Sequence, residues 1–153
     1  MAADKTDKIG FVNLQEVLQK SNAGKKDVED LKKFIEKNNQ EIKSEEEELK
    51  KMKEALEKKD SGTDQGSQSE KETAYQKKLR NYQSKVNDAN EELKKRDQEM
   101  TQKLMPGIIK VVRSFAEREK YTLIIDIATT PMPFYTKDSD ITDKVIEEFN
   151  KAE

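Results

Sequence analysis

The side chains that most often perform catalysis are missing from this sequence. Its 153 residues include no cysteine and no histidine, which removes thiol chemistry, the commonest general acid or base, and the commonest zinc ligand. Asp126 ends an apolar run, where a catalytic carboxylate can stand, but nothing in the sequence complements it. No glycine-rich phosphate loop is present. The sequence therefore predicts a protein that is not an enzyme, with no cofactor and no metal site, and a structural turn or cap role for Asp126.

Non-covalent binding is the chemistry that remains, and a basic group near the middle of the chain is its first candidate. A modest positive surface can attract acidic partners or anionic lipid head groups, whereas the alternative is an ordinary solvated helix face with ion pairs four residues apart. The acidic run Glu45–Glu48 can similarly tune the local field, but solubilisation is its simpler role. The basic candidates for a binding role are Lys50, Lys51, Lys58, Lys59, Lys77, Lys78 and Arg80.

Apolar side chains in the same part of the chain are the second set of binding candidates. Methionine and tyrosine suit adaptable surfaces, although packing within a helical pair is the competing role for every such residue that repeats with helical spacing. Phe34 lies one position before the apolar stripe of its helix, so it is the best candidate for an outward apolar contact. The others are Met52, Tyr75, Tyr82 and Met100.

The composition favours elongated helices over a compact globule. Charged residues make up 41% of the chain and hydrophobic residues only 32%, with a mean hydropathy of −1.09. Long exposed helices need only a narrow buried stripe, so they tolerate such a composition. The net charge of −2 lacks the basic excess of a nucleic-acid-binding domain, so we expect no nucleic-acid partner.

Two heptad ladders predict a long antiparallel helical hairpin. The first consists of Val28, Ile35, Ile42, Leu49 and Leu56, and the second of Leu79, Val86, Leu93 and Met100. Residues that repeat every seven positions form one stripe of a helix and favour a supercoiled pair. A polar segment at 60–69 separates the ladders and predicts the tip loop. The first helix has a second heptad position beside its ladder, and several of the residues there are polar, among them Asn38, Glu45 and Lys59. We therefore expect an imperfect seam and a flexible arm.

The segments outside the hairpin predict strands and short helices. Residues 8–13 and 121–127 read as strands, and residues 132–136 as a third, short edge strand. Asn13 is placed to cap a short helix and Asp140 to cap a terminal one.

Pro106 and Gly107 are predicted to interrupt the return helix, either as a hinge that lets the arm splay or as a static kink. The expected division is a body of residues 1–24 and 104–153 and an arm of residues 25–103.

The body is expected to form an oligomer. About seventy residues bury little core, and a small sheet leaves two edges to be covered. Pairing of several copies through their sheets would satisfy both needs and produce a ring-like assembly, with a dimer as the simpler alternative. The predicted oligomerisation residues are Ile9, Phe11, Val12, Leu123, Ile124, Ile125 and Phe134.

In its order of elements the chain resembles the Skp/OmpH family of periplasmic chaperones over nearly its whole length. The resemblance is carried by residues 8–13, the charged hairpin, residues 121–126 and residues 140–146. It implies an α+β fold, with a small β-sheet body that forms a barrel in a homotrimer and long coiled-coil hairpin arms. It further implies a holdase that needs no ATP and encloses unfolded outer-membrane β-barrel proteins in the periplasm. The binding candidates above would then be client contacts, together with a weak contact to an anionic membrane surface.

Two other interpretations remain open from the residues alone. A structural coiled-coil scaffold would bind one specific folded partner through its arm. A prefoldin-like chaperone also joins strands to helical arms, but it carries its strands between the helices, whereas here they flank the hairpin. The chain opens in polar residues without a secretion signal, which fits a cytosolic protein or a mature form whose signal is absent, and the resemblance favours the periplasm.

Overall fold

The computed structural model describes residues 6–58 and 64–153. The described residues of Met1–Asp30 together with Asp97–Glu153 form one compact unit, and those of Leu31–Arg96 form a second. The elements in chain order are β1 (Ile9–Val12), α1 (Leu14–Lys20), α2 (Asn22–Glu57), α3 (Gln65–Arg118), β2 (Leu123–Asp126), a 3₁₀ turn (Lys137–Ser139) and α4 (Thr142–Ala152).

The sheet of the first unit joins the two ends of the chain. β1 and β2 pair in parallel, with Ile9 opposite Leu123 and Val12 opposite Asp126. Parallel neighbours require a long connection from the C-terminal end of the first strand to the opposite end of the sheet, where the second begins. The helices α1, α2 and α3 provide it. The predicted α+β class with a long helical hairpin is confirmed.

The predicted third strand over residues 132–136 is wrong. No strand is assigned there, because Pro131 and Pro133 have no N–H groups to donate to a ladder. The free side of β1 is occupied instead by a single parallel bridge between Phe11 and Asp140. Its hydrogen bond runs from the Ile141 N–H to the Phe11 carbonyl at 2.8 Å.

The short helices begin at polar side chains. Asn13 caps α1 as predicted, and its side-chain oxygen accepts a hydrogen bond from the Glu16 N–H at 2.9 Å. Asp140 is not the N-cap of α4, because Ile141 occupies that position. The Asp140 carboxylate still accepts the Thr142 N–H at 2.9 Å, so it satisfies one of the free donors at the start of α4.

Apolar side chains from β1 and from the helices α1, α3 and α4, together with Ile141 at the start of α4, form the core of the first unit. α3 contributes a face that repeats at helical spacing, and α4 packs against it. Arg118 near the end of α3 also pairs with Glu148 of α4 at 3.1 Å. The buried cluster comprises Val12, Val17, Leu18, Met100, Leu104, Ile108, Phe115, Ile141, Val145 and Phe149.

The long helices extend further than the sequence predicts. α2 begins at Asn22, three residues before the predicted start of the arm at residue 25. α3 begins at Gln65, so residues 65–69 are helical instead of part of the tip loop. The side-chain amide of Gln68 donates to the Leu56 carbonyl at 3.1 Å, which satisfies a free acceptor in the last turn of α2. Lys59 and the remainder of the predicted loop to residue 63 lie outside the described residues.

The predicted interruption of the return helix is also absent. α3 continues through Pro106 to Arg118, although proline removes the hydrogen bond to the carbonyl four residues earlier. The neighbouring glycine has a packing role, since a Cβ at Gly107 would lie 3.2 Å from the ring of Phe149. The core on both sides of this point holds the helix together despite the missing bond.

We expect Gly24→Ala to lower the free energy of unfolding of the first unit by about 2 kcal/mol or more, because overpacking forces backbone shifts. A Cβ at Gly24 would lie only 1.6 Å from the Leu18 carbonyl oxygen. Gly66→Ala is the matched control, since the nearest heavy atom to its Cβ would be 3.7 Å away. Thermal unfolding followed by circular dichroism measures both variants, and equal midpoints would contradict the expectation.

Candidate functional site

The two-stranded sheet has one face on the core and one face towards the outside. Side chains alternate between faces along a strand, so Ile9 and its partner Leu123 share a face that Val12 does not. Val12 is 1% exposed, whereas Ile9 is 44% and Leu123 50% exposed. The alternation therefore leaves an apolar surface without cover in the single chain.

The outer sheet face, as we call it, continues beyond the strands. Phe11 lies half-buried on it, with its ring 5.0 Å from the ring of Tyr135. Phe134 beside this pair in the sequence is 81% exposed. The members of the outer sheet face are Ile9, Phe11, Leu123, Ile125, Phe134 and Tyr135.

The predicted oligomerisation residues thus divide into two groups. Five of them belong to the outer sheet face. Val12 and Ile124 instead take part in the core of the first unit, so within one chain they serve folding. Side chains alternate between the two faces of any strand, so the two groups can be separated once the strands are recognised. The sequence does not indicate which of the two faces packs against the helices.

Asp126 at the end of β2 is a structural residue. Its carboxylate accepts hydrogen bonds from the Leu14 N–H at 3.2 Å and the Ala128 N–H at 3.0 Å. The Thr129 hydroxyl donates to the other carboxylate oxygen at 3.1 Å. These contacts tie the start of α1 to the turn after β2, which agrees with the turn or cap role predicted for this side chain.

The second unit contains a set of polar contacts between α2 and α3 that the sequence prediction missed. Glu45 pairs with Lys85 at 2.6 Å and Glu48 with Lys78 at 2.8 Å. The Tyr82 hydroxyl donates to Glu46 at 2.5 Å. We call these six residues the clasp. The spacing of seven between Lys78 and Lys85, opposite a run of acids, is the signal that could have revealed it.

The clasp shifts the proton affinities of its members. The hydrogen bond from Lys78 lowers the pKa of the Glu48 carboxyl, and the same bond raises the pKa of the Lys78 ammonium. The hydrogen bond to Glu45 raises the pKa of Lys85, and that to Glu46 raises the pKa of the Tyr82 phenol. At neutral pH, Glu48 is therefore ionised and Tyr82 is a neutral donor.

The apolar client candidates occupy different environments. Met100 is 6% exposed and lies in the core of the first unit, so packing is its role in this structure. The half-buried ring of Phe34 lies 4.5 Å from the guanidinium of Arg96, which covers part of the aromatic face. Met52, Tyr75 and Tyr82 are half-buried.

Most of the basic candidates are on the surface. Lys78 is half-buried in the clasp. Lys59 lies outside the described residues. The exposed members are Lys50, Lys51, Lys58, Lys77 and Arg80.

A shallow groove on α2 was not anticipated. It has a volume of about 360 Å³ and contains Ile35, which is 36% exposed although it occupies a heptad position. The heptad pattern predicts that Ile35 packs between the helices, but its exposed side chain can instead contact another molecule. The lining residues are Lys32, Ile35, Glu36, Asn39, Gln40 and Lys43.

Metal binding and membrane spanning were considered for the described residues. Within residues 6–58 and 64–153, no three acidic, histidine or cysteine side chains are grouped so that they could bind a metal ion. Over the same part of the chain, no helix is both long and apolar enough to span a membrane.

The strand–hairpin–strand order defines a class of helical-arm proteins with a small sheet. A family model described as outer membrane protein (OmpH-like) matches residues 8–149, and the chain belongs to this family. This confirms the resemblance and supports a chaperone role.

A solved structure from Caulobacter crescentus CB15, described as an outer membrane chaperone (OmpH-like), has the same fold. Its TM-score is 0.71 at 18% sequence identity, and the match covers 99% of this chain and 88% of that one. None of the curated proteins compared with the chain matches it.

We expect Asp126→Ala to lower the free energy of unfolding by about 2 kcal/mol, because the substitution leaves two backbone N–H groups and a hydroxyl without their charged acceptor. Asp138→Ala, at an exposed residue of the 3₁₀ turn, serves as the control and should stay within about 0.5 kcal/mol of the parent. Urea unfolding monitored by circular dichroism compares the two, and equal losses would refute the role given to Asp126.

Proposed function

We propose that this protein is an ATP-independent holdase chaperone that encloses unfolded outer-membrane β-barrel proteins in the periplasm. The observation that carries the proposal is the OmpH-like family match, which extends from the first strand through both long helices to α4. The family supports a chaperone role, and the name of the matched Caulobacter protein links that role to the outer membrane. The protein would bind its clients without chemical turnover.

The proposed assembly is a homotrimer built through the outer sheet face. Three members of this face, Ile9, Leu123 and Phe134, are between 44% and 81% exposed. Contiguous apolar surface of this kind is typical of an interaction site. β2 has no strand neighbour other than β1 among the described residues, so a neighbouring subunit could also pair with its free edge and close a small barrel.

The proposed client contacts lie on the arm helices and are individually weak. The exposed lysines offer electrostatic attraction, and the groove around Ile35 and the rings of Phe34 and Tyr75 offer apolar contact. Several arms that surround one client raise the effective concentration of such contacts, so weak sites suffice for retention. The same lysines would account for a weak contact with an anionic membrane surface. Pro106 remains the proposed hinge of the arm, since its missing hydrogen bond weakens α3 there.

Suppression of aggregation tests the proposed function directly. We expect stoichiometric trimer to keep an unfolded outer-membrane β-barrel protein from scattering light after dilution from urea, with and without ATP. A folded soluble protein of similar size, mixed with the trimer at the same molar ratio, should not bind to it. Unchanged aggregation of the unfolded protein would refute the holdase proposal, as would saturable binding to the folded protein alone.

The assembly proposal is tested separately from client binding. We expect Leu123→Lys to reduce the particle to the 17.7 kDa monomer, because a charge would then be buried between subunits. Ile35→Lys places the same charge on an apolar residue of the second unit, which is 36% exposed, and should leave the mass unchanged. Sedimentation velocity gives both masses, and circular dichroism verifies that the helices persist. An unaltered mass for the Leu123 variant would exclude the outer sheet face as the interface.

A further inference from the structure

The helical pair of the second unit buries little apolar surface. Among its described residues, Leu49 is the single hydrophobic side chain that is almost fully buried, at 7% exposure. Ile35 on the same stripe is 36% exposed. The second heptad position of α2, which also faces the seam, is occupied by the polar residues Asn38 and Glu45. Because so few apolar side chains are buried between the two helices, apolar packing alone contributes little to their association.

Polar contacts are concentrated next to Leu49. Glu45, Glu46 and Glu48 each contact a different residue of α3. Glu41, one turn earlier, lies 3.6 Å from the ammonium of Lys85 and so adds a second carboxylate to it. Three of the four acids of the run that looked merely solubilising thus lie across from hydrogen-bonding partners on α3.

We propose that the clasp is an acid-sensitive device that holds the two arm helices together, and that its opening exposes the apolar seam to clients. The first half of this inference concerns the arm alone. The second half rests on the proposed chaperone function. Ile42, Leu49, Leu79 and Val86 are the seam residues next to the clasp that opening would uncover.

The direction of the pH dependence follows from the groups that face one another. Glu48 faces Lys78, with Lys51 on its own helix as a further cation that lowers its pKa. Because its pKa is lowered in the folded arm, its contribution to stability is present above the ordinary carboxyl pKa and is lost as the pH falls through the lowered value. The raised pKa values of Lys78, Tyr82 and Lys85 keep their contribution complete at neutral pH, and it is lost only at strongly alkaline pH. Acid, therefore, weakens the clasp through the Glu48 carboxyl, whose ion pair with Lys78 is lost on protonation.

Neutral amides reproduce the protonated clasp without acidifying the rest of the protein. The variant Glu45→Gln, Glu46→Gln, Glu48→Gln is compared at pH 7 with the charge-matched variant Glu47→Gln, Glu54→Gln, Glu91→Gln, whose exposed acids make no cross-helix contact among the described residues. Amide hydrogen exchange is measured by mass spectrometry on full-length protein. We expect exchange over residues 41–56 and 75–89 to accelerate about tenfold in the first variant only, while segments of the first-unit core keep their protection.

A charge-swapped variant separates the clasp from a general loss of stability. The swapped variant is Glu41→Lys, Glu45→Lys, Glu48→Lys, Lys78→Glu, Lys85→Glu. It places opposite charges across the helices at all three ion pairs, including the one between residues 41 and 85, so protection should return to within about twofold of the parent. Equal exchange in the clasp and charge-matched variants would overturn the inference. Failure of the swapped variant to regain protection would do the same.

The client half of the inference has its own measurement. If the chaperone function holds, the clasp variant should suppress aggregation at a lower molar ratio than the charge-matched variant. Faster exchange without this gain would refute the link to clients and leave the acid-sensitive arm in place. Loss of suppression by the parent protein itself would instead refute the proposed function, and the exchange data would be unaffected.

Discussion

Parallel pairing between β1 and β2 is the constraint on which the rest of the first unit depends. Strands that lie more than a hundred residues apart in sequence run in the same direction, so the chain must leave the C-terminal end of β1 and reach the opposite end of the sheet, where β2 begins. A single crossover helix would suffice for that return. Here the chain uses α2 and α3, far longer than closure requires, and so the connection itself becomes the candidate binding surface.

The core that supports this pairing is one-sided. Helices α1, α3 and α4 cover the inner face of the sheet, and their side chains bury Val12 almost completely. The other face retains Ile9 and Leu123 as half-exposed neighbours. A two-stranded sheet gains little stability from such a face in water, and this is the physical reason for the assembly of several chains that we propose.

Different forces stabilise the two compact units. The first has a cluster of ten buried apolar residues, whereas the second relies on charged and phenolic side chains at its seam. Exposed ion pairs are weak and are screened by salt. A helical pair held in this way can respond to solvent conditions while the sheet stays intact, a combination that suits the proposed holdase function.

The sequence by itself determined the periodic features, namely the two long helices and the strands near each end, and it identified Asn13 as a helix cap. These follow from local spacing and side-chain chemistry, which need no knowledge of distant residues. Only the tertiary structure decided that residues 132–136 form no strand and that Asp140 forms the bridge to β1. It alone placed Met100 in the core and brought Glu45, Glu46 and Glu48 opposite partners on α3. The physical reason is that an alternating strand or an acidic run has the same pattern whichever neighbour it meets, and the neighbour is chosen by packing between segments far apart in the chain.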